Sequence, residues 1–123
     1  MISSNKKNDD FELGVDIVFK KRFKKILLSG IKRILTKNEF DIFCLLKTKK
    51  QKIEYLSSRW ASKEAIYKAL PDDLKLSLCD IEILNNSSGR PYCTNFNNIK
   101  LSISYSKYYV VCICAFIHKN QME

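Results

Sequence analysis

The sequence predicts an α+β domain in which an antiparallel sheet carries helices packed on it. Three observations predict this. "FELGVDIVF" (11–19) and "IKLSISYS" (99–106) alternate in side-chain character with the two-residue period of a strand. Between them lies a helical region opened by the capping-box pattern "TKNE" (36–39) and closed by Pro71. The apolar run "YYVVCICAFI" (108–117) follows 99–106 across a turn at Ser106-Lys107, so these two strands pair as a hairpin.

The elements follow in order. In the first strand Phe11, Leu13, Val15, Ile17 and Phe19 share one face, and Gly14, Asp16 and Val18 share the other. Asp16 is thus a carboxylate in the middle of an expected central strand. A helix over 19–29 turns Phe19, Phe23, Ile26 and Leu27 inward, leaves Lys20, Lys21, Arg22, Lys24 and Lys25 outside, and stops at Ser29-Gly30. A second helix starts at the Thr36 cap, carries Phe40, Phe43, Cys44 and Leu46, and dissolves into "KTKKQK". A third runs over 53–70. "CDIEIL" (79–84) reads as a strand and "NNSSGRP" (85–91) as a turn. The last strand, 108–117, is expected to be buried on both faces. The order is β-α-α-α-β-β-β.

Composition sets the outer limits. A chain of 123 residues holds one domain with a modest core. The expected layout is a flexible N-terminus over 1–10, the domain over 11–118 and a tail over 119–123. Apolar residues make up 46%, which fits a folded domain rather than a disordered chain. No apolar run reaches the ~20 residues of a membrane-spanning helix, and "MISSNKKNDDFELG" lacks the apolar segment of a secretory signal. Five cysteines without metal-finger spacing read as structural free thiols, with Cys112 and Cys114 as small buried hydrophobes on one strand face. Together these features place the protein in a reducing cytoplasm. A net charge of +9 calls for an acidic partner.

"RWASKEAIYKAL" (59–70) raises the chemical question. At 100° per residue Leu56, Trp60, Tyr67 and Leu70 fall on one stripe, with Glu64 at its edge. Lys68 follows Glu64 by one turn, and Arg59 and Lys63 lie one turn apart on the opposite flank. Taken alone this is an amphipathic helix with surface ion pairs. Asp16 changes the reading, because a carboxylate within an apolar strand costs several kcal/mol unless it is paired or metal-bound. A divalent cation would resolve the repulsion between two such carboxylates. Mg²⁺ suits a site with few protein oxygens, since it completes its shell with water and phosphate. Nearby lysines and an arginine suit phosphate oxygens.

The order and spacing of "GVDIV" (14–18), "RILTKNE" (33–39), "RWASKEAIYKAL" (59–70), "DIEILNNSSGRP" (80–91) and "LSISYSKYYVVCICA" (101–115) resemble the holo-acyl-carrier-protein synthases, the small bacterial type of 4′-phosphopantetheinyl transferase. The resemblance implies that fold. It also implies transfer of the 4′-phosphopantetheine arm of coenzyme A to a serine of apo-acyl carrier protein, with release of 3′,5′-ADP. By the same resemblance Asp16 and Glu64 bind Mg²⁺, Lys68 contacts a coenzyme A phosphate, Arg59 and Lys63 line the nucleotide site, and Gly89-Arg90-Pro91 form a loop beside the adenosine. Glu64 or a metal-held water takes the serine proton. Tyr105 stands near the coenzyme A phosphates where the family often has histidine, and it offers a hydrogen bond but no cation. Arg22, with Lys21 and Lys25, matches the basic surface that docks the acidic carrier. A homotrimer with its active sites at subunit interfaces is implied as well. Pro71-Asp72-Asp73 departs from the family's G-T-G, and the segment between Pro91 and Leu101 is short.

A basic nucleic-acid-binding module without catalysis is the alternative reading, supported by the charge and by Tyr105, Tyr108 and Tyr109. It leaves Asp16 and Glu64 unexplained and finds no nucleic-acid motif. A family member retained only as an interaction protein is a third reading, motivated by Tyr105 and the altered 71–73 loop. His118, the single histidine, reads as structural or solvent-exposed.

Overall fold

A computed structural model describes residues 10–25 and 30–118. Strand β1 (Phe11–Phe19) runs into a 3-10 segment (Lys20–Lys24); a 3-10 turn (Ile31–Arg33) precedes the helices α1 (Lys37–Leu45) and α2 (Lys49–Ala69). A small hairpin of β2 (Ile83–Asn85) and β3 (Pro91–Cys93) follows, then a long one of β4 (Ile99–Tyr105) and β5 (Tyr109–Ile117). The strands form two antiparallel sheets, ordered β1-β5-β4 and β2-β3.

The pattern of burial explains how α2 sits on the main sheet. Val110, Cys112, Cys114 and Phe116 of β5 alternate onto one face and are all buried. Their β1 partners Val18, Asp16 and Gly14 share that face. Gly14 has no side chain because none fits: a Cβ there would lie 1.9 Å from the Ala65 carbonyl oxygen. Small residues on the helix, Ala61, Ala65 and Ala69, complete the close approach and are buried. Leu56, Ile66 and Leu70 fill the space beside them, each burial stabilising by about 1.5–3 kcal/mol. Buried serines on α2 hide their hydroxyls by donating to backbone carbonyls one turn back: Ser57 to Ile53 at 2.7 Å and Ser62 to Ser58 at 2.7 Å.

Both helices begin with a capping box. Thr36 and Glu39 close α1, as the sequence pattern predicts. Thr48 and Gln51 do the same for α2, so the "KTKKQK" stretch starts that helix four residues before the expected 53. Residues 19–29 do not form the expected helix within the described part: Phe19 ends β1 and Lys20–Lys24 is 3-10. Phe23 is buried there as predicted, while Ile26, Leu27 and Ser29 lie outside the described residues, as do 1–9 and 119–123. Strand 79–84 shortens to Ile83–Asn85 because Leu78–Asp80 turns as 3-10, and Pro91–Cys93 adds a partner strand.

Two expectations about the sheet are corrected. The central strand is β5, and β1 is an edge strand. Nor is β5 buried on both faces, since Tyr109 and Ile113 are exposed. On the same outer side Phe11, Leu13, Val15, Ile17 and Phe19 are 41–60% exposed. Among the cysteines Cys44 is exposed on α1 and Cys79 half-buried, whereas Cys93, Cys112 and Cys114 are buried. Tyr67, expected on the packed stripe of α2, is exposed instead, with the Lys75 ammonium 4.3 Å from its ring centroid.

Candidate active site

The approach of β1 to α2 through Gly14 and Ala65 places Asp16, two residues on and on the same face, against the last turns of the helix. Lys68 Nζ donates to Asp16 Oδ1 at 3.2 Å and to the Val15 carbonyl at 2.9 Å. Lys68 lies one helical turn after Glu64, so this contact brings the strand carboxylate to the stretch of helix that presents Glu64. Asp16 and Glu64 are half-buried, and Glu64 has no ion-pair partner among the described residues. Among those residues no cluster of three or more His, Cys, Asp or Glu is poised for a metal. Two hard carboxylates fit a cation that draws its other ligands from water and phosphate, and do not fit a closed Zn²⁺ site.

A groove of about 490 Å³ opens between the β2–β3 turn and β4. Gly89, Arg90 and Pro91 line one wall, and Leu101, Ile103 and Tyr105 the other. The turn is built for that position. Gly89 adopts φ 87, and the Asn86 side chain accepts from the backbone N–H of Ser88 and of Arg90, each at 3.0 Å. Asp16 and Ile103 both pair with Cys112 from opposite sides of β5, so two strand spacings, roughly 10 Å, separate them. The sheet therefore sets Asp16 and the groove on a common face.

Arg59 and Lys63 depart from their expected exposed flank. Arg59 is 3% exposed; its guanidinium stacks 4.5 Å from the Tyr55 ring centroid and donates to the Asn85 side-chain oxygen. It lines the floor of a second groove with Tyr55, Ser58, Asn85 and Tyr105. Lys63 does not line either groove. It is fully buried, paired with the equally buried Glu39 at 2.6 Å, and donates to the Ile34 carbonyl. Burial pushes its ammonium below the ordinary lysine range, and the Glu39 carboxylate opposes that shift. The helix turns this flank toward α1 and β2, which sequence periodicity on α2 alone does not reveal.

The basic surface lies at the other end of β1. Lys21 and Lys24 line a groove of about 580 Å³ with Lys49 and Lys50 of α2 and Lys107 of the β4–β5 turn. Lys20 is tied to Glu54 at 2.6 Å along the same groove. Arg22 points elsewhere, its guanidinium 5.5 Å from the ring centroids of both Phe23 and Trp60. Lys25 is exposed and outside the groove. His118 is half-buried with Nε2 3.4 Å from a Glu12 carboxylate oxygen.

Sequence reasoning missed Glu39 and Asn85 as parts of this architecture. Glu39 is legible only as a capping residue. Its carboxylate also takes the Ile83 N–H at 2.8 Å. Asn85 carries no motif signal and emerges only from the fold.

A small α+β domain with Asp16 held by Lys68 at a strand–helix seam, and a groove between the β2–β3 turn and β4, defines a class. The chain matches the family model of the 4′-phosphopantetheinyl transferase superfamily over residues 12–114, and it belongs to that family. Among its relatives, the holo-[acyl-carrier-protein] synthase of Mycoplasma capricolum is 42% identical over 101 residues, spanning 80% of this chain and 87% of that protein. The Streptococcus suis enzyme of the same name is 47% identical over 83 residues, 64% of this chain and 69% of that one. The crystal structure of a holo-(acyl-carrier-protein) synthase from Bacillus anthracis in complex with coenzyme A (3′,5′-ADP) superposes with TM-score 0.77 at 31% identity, covering 88% of this chain and 96% of the other. The Plasmodium yoelii holo-ACP-synthase gives 0.75 at 30% identity over 89% and 95%.

Proposed function

We propose that the protein transfers the 4′-phosphopantetheine arm of coenzyme A to a serine hydroxyl of apo-acyl carrier protein. The observation that carries the reading is the Lys68–Asp16 contact, which brings a strand carboxylate to the helix stretch that presents Glu64. A new bond forms between the serine oxygen and the phosphorus that bears the pantetheine arm, and the bond from that phosphorus to the 3′,5′-ADP oxygen breaks. Asp16 and Glu64 are the residues that would hold Mg²⁺, which supplies charge neutralisation at the diphosphate when bound. Lys68 is half-exposed and offers a point charge to a phosphate oxygen. The serine proton passes to Glu64 or to water. Along the groove Gly89, Pro91 and Tyr105 receive the nucleotide end, with Arg59 at the floor beside Tyr105.

Carrier docking falls to the lysine groove. Lys21 joins Lys24, Lys49, Lys50 and Lys107 there, a concentration of positive charge that suits an acidic helix and acts mainly on association rate. Arg22 is exposed beside Trp60, outside the groove, and Lys21 is the member of the expected set that lines it.

Assembly as a homotrimer is supported by the outer sheet face. Seven large side chains from Phe11, Leu13, Val15, Ile17, Phe19, Tyr109 and Ile113 stand 41–60% exposed on it. A contiguous apolar face of that kind marks an interaction surface, and repetition of one heterologous contact closes a ring.

The test is release of 3′,5′-ADP from coenzyme A in the presence of Mg²⁺. Release that requires an apo-carrier, and stops when its target serine is replaced by alanine, supports the reading. Release without a carrier, or none with any apo-carrier, contradicts it.

A further inference from the structure

We propose that Asn85 is a positioning residue for the nucleotide end of the groove, acting by bolting the β2–β3 turn to α2; this rests on the transferase reading above. Strand β2 is fixed to α2 at two points. At Ile83 the backbone N–H donates to Glu39 Oε2 at 2.8 Å, and Glu39 Oε1 receives Lys63 Nζ at 2.6 Å. At Asn85 the side-chain oxygen receives Arg59 Nη2, and the side-chain amide donates to the Gly89 carbonyl at 2.9 Å.

The two bolts fit because the geometries agree. Arg59 and Lys63 are four helix residues apart, about 6 Å of rise. Ile83 and Asn85 are two strand residues apart, about 6.6 Å. The turn beyond is internally tied, with Asn86 N–H to the Arg90 carbonyl at 2.9 Å and Gly89 N–H to the Asn86 carbonyl at 2.9 Å. It therefore moves as a unit. Asn85 provides the side-chain bond that joins this unit, through Arg59, to the helix bearing Glu64 and Lys68. The same residue lines both grooves. Arg59 Nε is buried without a partner among the described residues, so the guanidinium depends on Asn85 and Ser58 for its seat.

Asn85 is itself exposed, so Asn85→Ala removes the tie without opening the core. The expected result is a rise of about tenfold in KM for coenzyme A and a matching loss of 3′,5′-ADP affinity by calorimetry, as for a lost hydrogen bond to a charged group. The KM for the carrier stays near wild type, and Asn85→Asp, which keeps an acceptor for the buried Arg59 guanidinium, holds the wild-type melting temperature. Asn85→Asp keeps an acceptor for Arg59 but loses the donor to Gly89, and should also weaken 3′,5′-ADP. Wild-type coenzyme A KM and 3′,5′-ADP affinity in Asn85→Ala overturn the proposal, as does an equal rise in both KM values with a lowered melting temperature. A wild-type protein that transfers nothing refutes the transferase reading, while the 3′,5′-ADP titration still decides whether Asn85 positions the turn.

Discussion

Lys63 and Glu39 form an ion pair of 2.6 Å with both side chains fully buried. The pair joins α2 to the cap of α1 and, through the Ile83 N–H, to β2. Removing one partner leaves the other charge buried and uncompensated. Glu39→Leu or Lys63→Met should therefore lower unfolding stability by about 3–5 kcal/mol, read from urea denaturation. The double replacement Glu39→Leu/Lys63→Met should cost less than the sum of the two. Additive losses would show that the pair does not act as a unit.

Alkaline stability follows from buried thiols. Burial pushes Cys112 from the ordinary 9.0 up to about 11 and Cys114 up to about 12, and raises Cys93 and Tyr55 as well. Below pH 9 the thiols are protonated in both states. Above it the unfolded chain releases protons that the folded chain keeps, so stability falls as pH rises from 9 toward 12. Lys63, shifted downward, works in the opposite sense but is a single group. The urea midpoint should drop steadily over this range, and a flat or rising midpoint contradicts the assignment. At pH 8 a thiol reagent should label exposed Cys44 in the native protein and leave Cys112 and Cys114 until unfolding.

Self-association should depend on the outer face of β1. Val15 and Ile17 are 54% and 60% exposed, so a lysine at either costs the single chain little. Ile17→Lys should convert an oligomer to monomers in sedimentation while the far-ultraviolet dichroism stays unchanged. A wild-type protein that sediments as a monomer would sink the trimer.

The docking groove predicts a split between substrates. Lys21→Glu/Lys24→Glu should raise the KM for the carrier about tenfold at low salt, with the difference shrinking as salt rises. The KM for coenzyme A should not move. If both KM values rise together, the groove is not a docking surface.

Local and chemical features were legible in the sequence to different depths. The Thr36 cap, the β4–β5 hairpin and the shared inward face of Cys112 and Cys114 follow from local pattern and recur in the fold. The odd carboxylates Asp16 and Glu64 stood out because burying charge is costly, and the fold brings the first to the helix of the second. Partners across elements were not legible. Nothing on α2 says that Lys63 faces Glu39 or that Arg59 meets Asn85, since both depend on where α1 and β2 dock. The edge position of β1 was missed for the same reason. An apolar outer face reads as a core face until the fold shows no layer covering it among the described residues.

The central claim is that the seam of Asp16 and Glu64 carries phosphopantetheine transfer. The most direct measurement is the intact mass of an apo-acyl carrier protein after incubation with this protein, coenzyme A and Mg²⁺. The carrier should gain one phosphopantetheine with the wild-type chain. With Asp16→Ala or Glu64→Ala the rate should fall by at least about 10²-fold, the scale of a lost electrostatic contribution to the transition state. Undiminished transfer by both variants, or an unmodified carrier with the wild type, would contradict the claim.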